Sequence, residues 1–272
     1  MPTLYVVATP IGNLQDITLR AMRILKEVTL IAAEDTRHTL RLLNACGIKT
    51  PMTSYYEHNK LTKLDYVLEK LELGDVALVS DAGTPGIADP GSELIAAAIE
   101  RGFRVEAVPG PSAVMAALAV SGLPTAEFRF LAFLPRKASD RRASVERLSA
   151  EVATLVFLEA PHRVKATLAA LLEGLGDRRV AVCRELTKIH EEVFRSNLSG
   201  ALAHFIEPRG EFVLVVEGAK QVETVPVIDS KVEDQLAELK SQGISAKQAT
   251  ASLAEKTRIS RRELYQTWLK LG

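Results

Sequence analysis

Glycine and proline are concentrated in one stretch of this chain, Val79 to Gly91 (VSDAGTPGIADPG). It begins at the end of an apolar run that predicts a buried strand, and it leads into a helix predicted from Ser92, as N-cap, to Arg101. In open α/β sheets, ligands bind at loops of this kind, at the carboxyl ends of strands. The loop is about twice as long as the usual 2 to 6 residues of a βα connection, so we interpret it as ligand-binding rather than as a plain turn. Its glycines, at 83, 86 and 91, lack the G-x-G-x-x-G spacing of a conventional dinucleotide site.

Further polar clusters follow predicted strands, where side chains face a cleft rather than a core: TPIGN (9–13), AEDTRHT (33–39), SYYEHNK (54–60), EAPHR (159–163) and CRELTKIHEE (183–192). In the second cluster, Asp35 or Thr36 is expected as a helix N-cap, which leaves Arg37 as a candidate ligand contact. In the third, aromatic rings beside amide and imidazole donors suit a nucleobase, so His58 is a candidate, although a structural histidine is the commoner alternative. The charges of the last cluster, between two apolar strands, favour a functional use.

A local basic patch lies in FLPRKASDRRASVER (133–147), which has five basic and two acidic residues. Charge runs are usually solvated helix faces, but this one follows a strand and a proline, and phosphate contact is the alternative hypothesis. A second patch lies near the C-terminus, at Lys256, Arg258, Arg261 and Arg262. The chain has no Ser-His-Asp order, P-loop lysine signature or HExxH motif, so we expect neither a covalent nucleophile nor a metal.

Composition limits the classes of protein to consider. With 272 residues, of which 47% are hydrophobic, the chain can form two domains with a sizeable core. Lys plus Arg equals Asp plus Glu at 34 each, so an overall basic nucleic-acid footprint is absent. Cys46 and Cys183 have no metal-ligand spacing, and a reduced cytoplasmic compartment is expected. We also expect no secretion signal and no membrane span, because no run of about 18 apolar residues occurs.

Short apolar runs alternate with helical patterns, which predicts an α/β fold with a mostly parallel sheet in a first domain, 1–120. SGLPT (121–125) marks the boundary to a second α/β domain, 121–220. After a linker, 230–272 predicts three short helices with N-caps at Ser245 and Ser260, either a helix-turn-helix-like module or a packing appendage. The expected strands span 4–8, 30–34, 76–80 and 104–108, then 128–134, 154–159, 179–185, 191–195 and 211–218. The expected helices before the tail span 17–26, 37–46, 61–73, 92–101 and 113–120, then 139–148, 162–172 and 199–205.

Taken in order, the motifs resemble one family. They are similar to the motifs of the bacterial 16S ribosomal RNA cytidine 2'-O-methyltransferases, which belong to the tetrapyrrole methylase superfamily. The motifs are TPIGNLQDIT, AEDTRHT, SYYEHN, VSDAGTPGIADPG, VPGPSA, SGLPT, FLPRK, EAPHR, CRELTKIHEE and GEFVLVVEG. The resemblance covers nearly the whole chain, including the helical tail. It implies two α/β domains with S-adenosylmethionine in the cleft between them, a homodimer, and methylation of a cytidine ribose at the decoding centre of the small ribosomal subunit.

The resemblance also implies site residues. The cofactor pocket would use Pro10, Ile11, Asp81, Gly83, Thr84, Ile87, Ser112, Ala113, Phe157 and Glu159. The polar clusters and the basic patch described above, rather than the resemblance, make Arg37, His58, Arg136, Lys137, Arg141 and Arg142 the expected RNA contacts. The sequence has Gly83-Thr84-Pro85 where relatives acting on tetrapyrroles carry GDP, which fits the RNA-modifying branch.

A ribose hydroxyl is a poor nucleophile at neutral pH, so it must be aligned and hydrogen-bonded or deprotonated. We expect the group Arg184, Glu185 and Lys188 beside it, with Lys188 orienting or deprotonating the hydroxyl and Arg184 holding an adjacent phosphate. Two alternatives remain open at this point. One is a methylase of corrin rings or of a translation-factor histidine, which the basic patches and the tail disfavour. The other is a non-catalytic ribosome-assembly factor, which the intact glycine loop and PGPSA disfavour.

Overall fold

The computed structural model describes residues 2–56, 60–220, 228–257 and 259–271. Contacts divide the chain into two compact units, Met1–Ala219 and Lys220–Gly272. The described part of the first unit contains two β-sheets. The strands of the first precede residues 121–125 in the sequence, and those of the second follow them. Because contacts join both sheets into one unit, the division at residue 120 stays a prediction.

The first sheet is parallel throughout and has the strand order β3-β2-β4-β1-β5. Its strands are β1 (Thr3–Val7), β2 (Leu30–Ala33), β3 (Met52–Ser54), β4 (Val76–Val79) and β5 (Arg104–Val108). Its helices are α1 (Leu19–Glu27), α2 (Thr36–Ala45), α3 (Lys60–Leu73), α4 (Ser92–Glu100) and α5 (Ala113–Ser121). Every residue of β2 and β4 is buried, as expected for strands covered on both faces. The order brings the loops that follow β1, β4 and β5 to one edge of the sheet.

The second sheet has the order β6-β7-β10-β8-β9, with a parallel β6/β7 pair and antiparallel pairs elsewhere. Its strands are β6 (Phe128–Phe130), β7 (Thr154–Glu159), β8 (Arg179–Arg184), β9 (Glu192–Asn197) and β10 (Phe212–Val216), and its helices are α6 (Ala138–Glu146), α7 (Val164–Leu175) and α8 (Leu198–His204). Alternate residues of each strand face opposite sides. Phe157 and Leu214 belong to the core formed with α6, α7 and α8, whereas Val156 and Val213 cluster with Ile11 and with α5. Helix α5 therefore packs on the second sheet.

The second unit, described over 228–257 and 259–271, has the three expected helices, α9 (Ser230–Ser241), α10 (Ala246–Thr257) and α11 (Arg261–Lys270). They bury a small core that includes Leu236, Leu264 and Trp268. Ser260 caps α11 in a capping box with Glu263, which confirms the predicted N-cap. In the described residues, no helix is long and apolar enough to cross a membrane.

Several predicted boundaries are wrong for local reasons. Helix α4 has Gly91 at its N-cap, with φ +136°, and the Ser92 hydroxyl instead contacts the Glu93 carboxylate at 3.1 Å. The strand predicted over 128–134 ends at Phe130, because Ala132 has a left-handed φ of +50°. Strand β3 was missed because its three residues, Met-Thr-Ser, form no apolar run.

Candidate active site

A pocket of about 340 Å³ lies between the two sheets of the first unit. Loops at the carboxyl edge of the first sheet and the start of α5 form one side of it: Ile11, Ala82, Gly83, Thr84, Ile87, Asp89, Ser112, Ala113 and Val114. The second sheet and its loops form the other: Phe130, Phe133, Leu158, Glu159, Ala160, Pro161, Cys183, Leu186, Glu211, Phe212 and Val213. The size and the mainly apolar lining with few polar groups are those of a small-molecule site.

The glycine loop is held in an unusual backbone conformation. Gly83 has φ +81° and pairs with Thr9 through two backbone hydrogen bonds. The Thr9 N–H donates to the Gly83 carbonyl at 2.8 Å, and the Gly83 N–H donates to the Thr9 carbonyl at 3.0 Å. Ala88 has φ +63°, a conformation that alanine adopts only under strain. At Gly91, a Cβ would lie 2.8 Å from Leu78 Cδ2. The loop is thus fixed against β1 and β4, with residues 82–84 facing the pocket.

Asp89 lines the glycine-loop side of the pocket, and two further carboxylates, Glu34 and Asp81, lie near it without lining the pocket. The Asp81 carboxylate accepts a 3.0 Å hydrogen bond from the Asp35 N–H, and Glu34 accepts one of 3.2 Å from the Asp81 N–H. Asp89 lines the pocket, and burial, followed by the charge of Glu34, raises its pKa to about 6. Burial also raises the pKa of Glu34. A partly buried carboxylate in the wall suits a ligand that carries positive charge.

The predicted catalytic residues Arg184, Glu185 and Lys188 are not among the described residues that line the pocket, but Lys188 lies between two carboxylates, one of which, Glu211, does line it. The Lys188 Nζ donates to Glu185 Oε1 at 2.9 Å and to Glu211 Oε2 at 3.0 Å. Burial acts to lower the pKa of Lys188, but the hydrogen bonds and charges of the two glutamates outweigh it and raise the pKa. Gly12 makes room for this side chain, since a Cβ there would lie 2.4 Å from Lys188 Cγ. The ammonium group is therefore held in place and stays protonated at neutral pH.

Arg184 is held by other partners. Its Nε donates to the Arg209 carbonyl at 2.7 Å and its Nη1 to Glu192 at 3.2 Å. Glu192 also bonds His204 at 2.7 Å, and the His204 ring stacks on Phe194 at a centroid distance of 3.9 Å. These contacts fix the guanidinium and use two of its nitrogens.

Comparison with known proteins decides the family. A family model described as Tetrapyrrole (Corrin/Porphyrin) Methylases matches residues 3–201. The chain belongs to the tetrapyrrole methylase family. This tetrapyrrole methylase is 47% identical to the "Ribosomal RNA small subunit methyltransferase I" of Synechocystis. The alignment spans 275 residues and covers 100% of this chain and 99% of the relative. It is 52% identical over 219 residues to the protein of the same name from Halalkalibacterium halodurans, with 79% and 76% of the two chains covered.

Solved structures agree on the fold. The methyltransferase CobJ aligns with a TM-score of 0.62 at 20% identity, over 80% of this tetrapyrrole methylase and 95% of that chain. A uroporphyrin-III-C-methyltransferase from Thermus thermophilus aligns with a TM-score of 0.57 at 20% identity, over 79% and 94%. The predicted α/β fold and the predicted enzyme class are confirmed. The chain is a methyltransferase, and S-adenosylmethionine is its cofactor, as the resemblance implied.

The structure brings most of the predicted cofactor residues of this tetrapyrrole methylase to the pocket: Ile11, Gly83, Thr84, Ile87, Ser112, Ala113 and Glu159. Among the described residues, the lining does not include Pro10, Asp81 or Phe157. Phe157 points into the opposite core, because it alternates with the pocket-facing Leu158 along β7. Asp81 braces Asp35 rather than facing the pocket.

Glu159 reaches the pocket wall, but its carboxylate is occupied. It accepts hydrogen bonds of 2.5 Å from the Thr167 hydroxyl and 2.9 Å from the Ala160 N–H, and it lies 3.2 Å from Arg163 Nε. With its side chain fully buried, Glu159 acts within the protein by holding Arg163.

Sequence reasoning missed several lining residues, among them Asp89, Phe133, Cys183 and Glu211. Alternation from the buried strand β8 could have placed Cys183 in the wall, where burial raises the pKa of its thiol to about 11. Glu211 lies in the motif GEFVLVVEG but was not singled out as a site residue, because it meets Lys188 through its hydrogen bonds with Glu185, a residue distant in sequence.

The predicted RNA-contact residues lie outside the pocket lining in the described residues. Arg37 is exposed and pairs with Asp35 at 2.7 Å, which holds the pKa of that carboxyl well below its usual range. Arg136 and Lys137 are exposed, and Arg142 lies 3.6 Å from Glu173. Arg141 instead donates to the Arg136 carbonyl at 3.1 Å, so it holds the loop. His58 lies outside the described residues.

Proposed function

We propose that this tetrapyrrole methylase transfers a methyl group from S-adenosylmethionine to the ribose 2'-hydroxyl of a cytidine in the decoding region of 16S ribosomal RNA, within the small ribosomal subunit. The observation that carries the proposal is the 47% identity, over the whole chain, with a small-subunit ribosomal RNA methyltransferase of Synechocystis. We further propose that it acts in the cytoplasm as a homodimer.

The pocket residues fit the cofactor. Asp89 supplies a carboxylate for a cation, and the backbone of Gly83 and Thr84 and the apolar wall at Ile11 and Ile87 suit a nucleoside. When bound, the cofactor supplies an electrophilic methyl group on a sulfonium sulfur. The pocket walls exclude water and restrict the approach to this group, which supports transfer to an aligned hydroxyl.

Lys188 serves in this proposal as a hydrogen-bond donor that orients the ribose hydroxyl, and the hydroxyl loses its proton to solvent as its oxygen gains the methyl group. The raised pKa of Lys188 disfavours the other predicted role, that of a base, because the ammonium form is stabilised by both carboxylates. Glu185 and Glu211 position Lys188, and the Glu211 carboxylate extends this group to the pocket wall.

Arg184 is proposed to hold a phosphate next to the target ribose. Because Nε and Nη1 are already bonded, Nη2 is the nitrogen it offers to a phosphate oxygen. The exposed Arg37, Arg136, Lys137 and Arg142 supply further sites for the RNA backbone.

The test is transfer of labelled methyl from the cofactor to purified 30S subunits, followed by mapping of the modified nucleotide. We expect one cytidine whose 3' phosphodiester resists alkali, because 2'-O-methylation removes the attacking hydroxyl. Lys188→Ala should lower kcat by roughly 100-fold, the size of a misalignment effect. A methyl group on a base, or transfer only to a corrin or porphyrin ring, would refute the substrate, and a wild-type rate for Lys188→Ala would refute the role of Lys188.

A further inference from the structure

Phe133 is an aromatic residue in the pocket wall that stays half exposed, at 50%, although the next residue, Leu134, is buried. Large apolar side chains left exposed in a binding site mark a surface that a ligand covers. Ile87 lines the same pocket from the glycine loop and is also exposed, at 56%. The pocket thus presents uncovered apolar surface from both of its sides.

The exposure of Phe133 is not the result of a loose loop. The Leu131 N–H donates to the Val156 carbonyl and the Leu158 N–H to the Ala132 carbonyl, each at 2.9 Å, so the loop is fastened to β7. Arg163 donates to the Leu134 carbonyl and is itself held by the buried Glu159. Between these ties, Ala132 has φ +50°, a strained conformation that persists only where its surroundings fix it. The protein therefore holds this ring at the pocket edge.

Charge indicates what covers the ring. Arg136 and Lys137 follow Phe133 by three and four residues and are both exposed, whereas the carboxylate Asp89 lies on the glycine-loop side. A basic segment that directly follows the ring in the chain disfavours a cationic ligand and favours a polyanion, and the exposed Lys137 has only a loose ion pair, 3.7 Å from Asp140. An aromatic face beside basic side chains is the arrangement that binds unpaired nucleobases by stacking, with the phosphates on the basic groups.

We propose that Phe133 is a stacking platform for an unpaired nucleobase of the RNA substrate, with Arg136 and Lys137 contacting the adjoining phosphates. This subsite rests on the proposed function and adds a residue that positions the RNA. Glu159 and Arg163 are positioning residues for the platform, because they act on the RNA only through the loop.

The experiment compares Phe133→Ala, Phe133→Tyr and Phe128→Ala in methyl transfer to 30S subunits, with cofactor affinity from calorimetry and stability from thermal unfolding. Phe128 is a matched control, since it lies in the same segment, is 37% exposed and is not among the described lining residues. Loss of one base stack should raise the KM for 30S subunits about 5- to 140-fold in Phe133→Ala. Phe133→Tyr keeps the ring and Phe128→Ala keeps the platform, so both should stay near the wild-type KM, with cofactor affinity unchanged in all three.

An unchanged KM for 30S subunits in Phe133→Ala would overturn the platform while leaving the proposed function intact. Cofactor affinity that falls by the same factor as the KM rises would overturn it too, because the ring would then stack the cofactor's adenine. If the wild-type protein transfers no methyl to 30S subunits, the proposed function itself fails, and the platform fails with it.

Discussion

Replacing Gly12 with alanine tests whether the position of Lys188 controls methyl transfer. The added Cβ would lie 2.4 Å from Lys188 Cγ and 3.0 Å from both Lys188 Cε and Thr187 Oγ1. Carbon atoms in contact prefer about 3.5 to 4.0 Å, so the lysine side chain must move by roughly 1 Å. Its bonds to Glu185 and Glu211, now 2.9 and 3.0 Å, cannot both survive such a shift.

The effect on activity should exceed the effect on stability. A 1 Å misplacement of an orienting group can lower a rate by about 100-fold, so we expect kcat to fall by roughly 10- to 100-fold. Loss of one charge-assisted hydrogen bond removes about 1.5 to 3 kcal/mol, less here because the Glu211 side chain is 76% exposed. Alanine also restricts the unfolded chain more than glycine does, which stabilises the folded protein by about 0.4 to 1 kcal/mol. The free energy of unfolding should therefore fall by about 1 kcal/mol in total.

The assay is a double-mutant cycle on kcat with 30S subunits, using Gly12→Ala, Lys188→Ala and the double variant, with urea unfolding as the stability control. If Gly12 acts through Lys188, alanine at position 12 should have a much smaller effect once the lysine is truncated, because only the 3.0 Å contact with Thr187 Oγ1 then remains. The reasoning is refuted if Gly12→Ala keeps the wild-type kcat, or if it lowers kcat equally in both backgrounds.

Further predictions concern pH, backbone strain and RNA contact. The Asp89 carboxyl, with its pKa raised to about 6, becomes charged as pH rises through 6, so calorimetry should show cofactor affinity increasing from about pH 5 to 7. Asp89→Asn should abolish that increase. If the wild-type protein and the Asp89→Asn variant show the same pH profile of cofactor affinity, the role of Asp89 is contradicted. Gly91→Ala, with φ +136° and a buried leucine 2.8 Å from the new Cβ, should lose about 1 to 3 kcal/mol of unfolding free energy. Gly47→Ala, left-handed but in open space, should lose less, and equal losses would argue against the contact. Arg136→Ala should reduce the slope of log affinity for 30S subunits against log salt by about 0.7 to 0.9, whereas Arg23→Ala, which removes an ion pair in α1, should leave it unchanged.

The element order was largely predictable because strands buried on both faces form uninterrupted apolar runs. Strands β2 and β4 are examples, and the helices between such strands follow from their 3.6-residue periodicity. Boundaries set by single backbone angles were not predictable. Ala132 ends β6 through a left-handed φ that no propensity of alanine indicates, and Gly91 replaces Ser92 at the start of α4 for a similar reason.

The site was predictable where a motif is local. Gly83 and Thr84 line the pocket from the loop after β4, and Ser112 and Ala113 line it from the start of α5, just after β5. Glu211 could not be assigned to the site from its own motif, because its contacts with Glu185 and Lys188 join segments that are distant in sequence. The protonation state of Lys188 also depends on two carboxylates, of which Glu211 is distant in sequence, so its pKa shift required the structure.

The buried thiol of Cys183 has a consequence for an enzyme that handles an alkylating reagent. With a pKa of about 11, only about one molecule in ten thousand carries the nucleophilic thiolate at pH 7. Burial therefore holds this sulfur in the weakly nucleophilic thiol form, and we expect it to react only slowly with an activated methyl group in the same pocket.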